Sequence, residues 1–247
     1  MKKLIAVASL LIATLSLFAQ TSDENGKTKK DWSKVNLTNR PNDHLMIQLG
    51  YEGWTAKPDS AKTKGLPRTL AIYFMKDMPF KTDPRFSIGI GIGVSGSSVY
   101  FDKTDVRIGD LSPTLQFRDV SKTDHFKKYK LSYNYLEIPL ELRFSTNPEH
   151  DSKSLKFALG GKIGTLLNVH TKGKVLENAA GQAIQTNDYR EKVISKHYFQ
   201  GTRLAGTARV SLGHIGLFGS YHINNFIKSG GGENIHPFTI GLTLSGL

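Results

Sequence analysis

The stretch Arg85-Phe86-Ser87-Ile88-Gly89-Ile90-Gly91-Ile92-Gly93-Val94-Ser95 constrains the fold more than any other part of the chain. Phe86, Ile88, Ile90, Ile92 and Val94 alternate with Ser and Gly alone. Period-two alternation specifies a β-strand, because successive side chains leave a strand on opposite faces. A soluble sheet usually fills its water-facing side with charged or long polar residues. Here that side is nearly empty, which suits a wall with hydrocarbon outside and a narrow, crowded interior.

The N-terminus reads as an export signal. Lys2 and Lys3 precede an apolar run over residues 4–18, followed by Ala19, Gln20 and a polar stretch. A basic start, a short apolar segment and a small residue at the cut describe a secretory signal peptide. About 15 apolar residues are too few to span a bilayer comfortably. We therefore expect a signal peptide over 1–19 (cleavage after Ala19 or Gln20), a polar periplasmic linker over 20–43 and a barrel domain over 44–247. The absence of Cys excludes a disulfide framework, a thiolate metal site and a lipoprotein anchor. Beyond the signal no run approaches 18 apolar residues, so the exported chain is either soluble or an outer-membrane β-barrel.

Periodicity decides between them. About eight segments alternate: residues 44–54, 69–76, the Phe86 strand, 135–144, 155–169, 202–212, 215–223 and 238–244. Leu212-Gly213-His214-Ile215 looks like a two-residue hairpin with Gly first, as a type II′ turn requires. Such a turn puts Leu212 and Ile215 on one face, which the parity already names as outward. Connections alternate between short (77–84, 145–154, 213–214) and long (notably 96–134 and 170–201), as periplasmic turns and extracellular loops do. Aromatics of outward parity gather near strand ends. Phe74, Phe86, Phe144 and Phe157 would form one girdle, and Tyr51, Tyr198, Tyr221 and Phe238 the other. A lipocalin-like soluble barrel would invert this polarity. The expected fold is all-β: an antiparallel, up-and-down transmembrane barrel of about eight strands (ten if the long loops extend the ladder), with long extracellular loops, in the cell outer membrane.

At Tyr135-Leu136-Glu137-Ile138-Pro139-Leu140-Glu141-Leu142-Arg143-Phe144 the sequence resembles the PorT-like outer-membrane β-barrel family of Bacteroidetes, often labelled "porin family". The Gly-alternating strand upstream and the closing Pro237-Phe238-Thr239-Ile240-Gly241-Leu242-Thr243 fit the same family, as does the Leu-Phe-Ala-Gln signal end. The resemblance covers nearly the whole mature chain. It implies a component or accessory of type IX protein secretion, with other secretion-system proteins as partners. Two further readings stand beside it: an OmpX-like surface-binding or membrane-stabilising barrel, and a small passive channel.

No chemistry-bearing constellation is complete, so no enzyme activity is expected. Glu137, Glu141, Arg143, Lys162, Arg203 and Arg209 share the inward parity, and opposite charges in so narrow a lumen would pair as a structural plug. Pro139 lacks an N–H and predicts a bulge. Gly91-Ile92-Gly93-Val94-Ser95-Gly96 matches a dinucleotide fingerprint in letters, but no helical pattern follows it. Ser220 and His222 both point inward and lack an orienting acid. The eight His residues show no zinc-ligand spacing, and Asp102, Asp105 and Asp110 do not have EF-hand spacing. No catalytic, cofactor or metal site is expected. The net charge, +12 and about +10 without Lys2 and Lys3, comes with no nucleic-acid motif. Lys57, Lys62, Lys64, Lys122, Lys127, Lys128 and Lys130 lie in loops, where outer-membrane lipid and lipopolysaccharide phosphates are the expected partners.

Overall fold

Eleven strands are present in the computed structural model, which describes residues 45–246 apart from Asn187. They are β1 (Leu45–Thr55), β2 (Arg68–Pro79), β3 (Phe86–Phe101), β4 (Thr104–Val106), β5 (Phe117–Asp119), β6 (His125–Ser145), β7 (Leu155–Glu177), β8 (Arg190–Ile194), β9 (Thr202–Leu212), β10 (Ile215–His222) and β11 (His236–Ser245). Eight of them close a circuit in the order β1-β2-β3-β6-β7-β9-β10-β11 and back to β1, every pairing antiparallel. Closure leaves the eight-stranded circuit without a terminal strand. The remaining three lie at the loop end: β8 adds to the far half of β7, and β4 pairs with β5. The segments expected as signal peptide and linker lie outside the described residues.

Parity sorts the wall as the sequence indicates. Leu70, Ile72 and Phe74 of β2 are exposed, while Ala71, Tyr73 and Met75 are buried. Exposed Ile90, Ile92, Val94, Ile138, Leu140, Leu142, Leu159, Ile163, Leu217 and Leu242 continue an apolar belt around the outside. A contiguous apolar surface of this kind marks a lipid-facing wall, and it overturns the soluble-barrel alternative. The small residues of β3 have a visible purpose: a Cβ on Gly93 would lie 2.5 Å from the Tyr73 ring, and one on Gly89 would lie 2.5 Å from Nε of Arg143. The empty face makes room for large side chains inside. The Leu212–Ile215 hairpin forms with those two residues paired, and Gly213 takes φ +58°.

Three expectations need correction. The ladders run well past the alternating segments, to Phe101 on β3, back to His125 on β6 and on to Glu177 on β7. Much of what read as long loop is therefore wall. No bulge forms at Pro139: the register of β6 against β3 is the same on both sides of it, and Pro139 pairs with Lys162 on β7. The register shift falls instead between Asn134 and Tyr135. The extra β7 residue there turns Val169 inward, where it is fully buried, although it continued the outward parity of its strand.

Candidate functional site

The lumen is filled in three tiers, each centred on a carboxylate. Tyr133, Glu137 and Glu141 stand four residues apart on β6 and mark the tiers, about 13 Å between neighbours along the strand. In the first, Glu52 of β1 accepts hydrogen bonds from Tyr133 Oη at 2.5 Å, Thr239 at 2.8 Å, Ser97 at 3.1 Å and Thr69. In the second, Glu137 meets Arg203 Nη1 at 2.7 Å and Lys162 Nζ at 3.7 Å, and accepts from the Tyr73 hydroxyl. Lys162 Nζ also donates to Tyr73 Oη at 3.1 Å. In the third, Glu141 lies 2.8 Å from Arg209 Nη2 and 2.9 Å from Arg143 Nε. Arg143 reaches on to Asp77 at 3.4 Å, and Asp77 accepts from Ser87 at 2.6 Å.

All six charged residues expected in the lumen are buried and joined in this network. Glu52, Asp77 and the hydroxyl donors were missed. Glu52 carries the inward parity one step past Tyr51, and Asp77 carries it two past Met75, just beyond the expected end of its strand. With them, four carboxylates (Glu52, Asp77, Glu137, Glu141) face four cations (Arg143, Lys162, Arg203, Arg209). The balance has a physical reason, since a buried charge without a partner costs several kcal/mol. The network carries equal numbers of carboxylates and cations across the lumen.

Toward the loop end the interior changes character. Val99, Phe101, Leu131, Tyr133, Tyr135 and Val169 from the walls pack with Tyr198, Phe199, Phe226, Ile227 and Ile235 from the connections. This apolar cap packs above the charged tiers. Of the expected girdle, Phe86, Phe144 and Phe157 form one row across β3, β6 and β7, with the first two rings 5.0 Å apart. Phe74 is exposed but lies apart from that row, paired with Ile92, six residues along β3 from Phe86. Tyr221 and Phe238 are cross-strand neighbours at the other end, Phe238 lies over Gly53, and Tyr51 is exposed close by. Tyr198 departs from expectation. It lies in the cap, its hydroxyl 2.7 Å from the Asp110 carbonyl oxygen, because it follows β8 on a connection that folds inward. Ser220 and His222 are both buried as parity indicated, and Gly91 to Gly96 lie wholly within β3.

Residues 48–244 match the family described as Outer membrane protein beta-barrel domain. The chain belongs to that family. Its exposed apolar belt is thus the surface of an outer-membrane barrel. The solved structure of Ail, the attachment invasion locus protein of Yersinia pestis, is 16% identical over 83% of this chain and 99% of that one, with a TM-score of 0.32. The translocator domain of the autotransporter NalP from Neisseria meningitidis is 11% identical over 98% of this chain and 97% of that one, with a TM-score of 0.18. Likenesses this distant carry no part of the assignment. No curated protein matches the chain.

Proposed function

We propose that this outer-membrane barrel is a non-conducting, membrane-stabilising and surface-binding protein of the OmpX-like kind, with its loop end outside the cell. The filled lumen carries the reading: one hydroxyl-bonded and two ion-paired tiers, capped by packed aromatic rings, leave the wall and the loop end as the working surfaces. The same packing argues against a passive channel. A second reading, an accessory of type IX secretion working through loop or periplasmic contacts, is favoured by the Tyr135–Phe144 strand and its PorT-like motif. No step of catalysis is assigned, and no cofactor or metal enters either reading. Deleting the gene in its host separates the two. The stabilising role predicts increased sensitivity to detergents and bulky hydrophobic dyes, with an unchanged set of secreted proteins. Secretion cargo held in the periplasm and released on complementation would overturn it in favour of the second.

A further inference from the structure

Beyond the apolar belt, the outer faces of β6, β7 and β8 carry two rungs of directly opposed cations. Lys128 pairs with Lys174, which pairs with Arg190. Two residues nearer the belt, Lys130 pairs with Lys172, which pairs with Lys192. Like charges set opposite each other destabilise a sheet, so six in one block is an arrangement folding alone does not favour. Among the described residues none of the six has a carboxylate within 4.0 Å. Other loop cations are satisfied: Lys62 by Asp119, Lys64 by Asp102, Lys127 by Glu177. The surrounding charges of Arg190, Lys172, Lys128 and Lys130 hold the Lys174 ammonium below the usual lysine range.

The block borders a groove of about 610 Å³ that continues onto β3 and β2. There Tyr100 lies under Lys130 Nζ at 5.9 Å and under one further cation, the Arg68 guanidinium, at 5.8 Å from its ring centre. The cations point sideways, on the parity that meets lipid lower down. Following that face of β6 from Lys130, the chain passes Ser132 and Asn134 and reaches exposed Leu136, about 20 Å along the strand. A ligand touching both zones is an amphiphile with acyl chains against the belt and a tall, multiply anionic headgroup against the rungs. Two rungs of three strands cover about 10 Å by 7 Å, the scale of a small phosphorylated saccharide.

We propose that the outer face of β6, β7 and β8 is a lateral binding site for the phosphorylated saccharide headgroup of an outer-leaflet glycolipid. The site names the partner of the surface-binding reading and rests on that reading for the orientation of the barrel. The test uses the folded full-length mature protein in nanodiscs of phosphatidylcholine containing rough-type lipopolysaccharide, or the same lipopolysaccharide dephosphorylated. Replacing the lower rung (K130Q, K172Q, K192Q) should weaken binding to the phosphorylated lipid roughly a hundredfold, given about tenfold or less per cation near a membrane surface. Replacing three lysines off the block (K103Q, K122Q, K196Q) should leave it unchanged. Retained gel-shift on boiling confirms that each variant is folded. Equal binding by the rung variant and the parent would overturn the site. So would equal binding to the dephosphorylated lipid, or capture of soluble polyphosphate as tightly as lipid, which would make the ligand a free polyanion. None of these outcomes depends on the secretion and permeability phenotypes, so the site and the cellular role stand or fall separately.

Discussion

At the scale of single residues, the central tier decides how much the interior depends on pairing. Glu137 is fully buried and lies 2.7 Å from Arg203 Nη1. Its loss leaves Arg203 and Lys162 in the lumen without the carboxylate they share. The Glu137→Ala variant should therefore lose about 3–5 kcal/mol, because removing one partner strands the other charges. Urea unfolding in lipid vesicles, followed by tryptophan fluorescence, measures this. Adding Arg203→Ala should cost less than the sum of the two single changes, since the second substitution removes the stranded charge. A loss below about 1 kcal/mol for the single variant would mean that water screens the tier, as it does for exposed pairs.

At the scale of elements, β3 shows why its glycines and serines face inward. A Cβ on Gly93 would approach the Ile72 carbonyl oxygen to 2.2 Å as well as the Tyr73 ring, and the backbone atom cannot rotate away. Gly206 of β9 is a built-in contrast, with nothing within 4 Å of an added Cβ. The Gly93→Val variant should fail to reach the compact form that runs faster on a gel before boiling, whereas Gly206→Ala should reach it at the parent yield. Equal yields would show that the β2–β3 pair can spread to admit the side chain. Pro139 illustrates the opposite economy: the strand loses one donor there without losing register, because β7 continues to pair with it on the other side.

At the scale of the molecule, the interior is filled in two ways, by ion pairs among the charged tiers and by aromatic packing at the loop end. An eight-stranded barrel is just wide enough for side chains to fill it, and these fill it with four charges of each sign. Purified protein inserted in a planar bilayer should add no steady conductance in simple salt solutions. Reproducible single-channel steps would mean that the tiers part to admit water. The outside divides just as sharply, into an apolar belt and, past it, the unpaired cation rungs. On the proposed reading, the work of the molecule lies on its wall and its loop end.

Much of this was written in the sequence. Alternation in Phe86 to Val94 and in Leu136 to Phe144 set strand type, facing and the membrane-side polarity, because period two follows from backbone geometry alone. Six of the eight inward charges were legible for the same reason, and so was the Gly213 hairpin. The strand extensions were not, because beyond the belt the polarity inverts. On β6, Tyr129, Leu131 and Tyr133 turn apolar groups inward while Lys128 and Lys130 turn charge outward. A reading keyed to apolar-out parity stops where the lipid stops. Which charges meet was also beyond the sequence, since Glu137 finds Arg203, 66 positions along the chain, only when the barrel closes. The cation rungs belong to the same class: seven basic residues looked scattered through loops, and only the register of β6, β7 and β8 sets Lys128 and Lys130 beside Lys172, Lys174, Arg190 and Lys192. Side-chain direction is local and the sequence holds it, whereas the choice of neighbour is a property of strand register and closure, which the tertiary structure alone supplies.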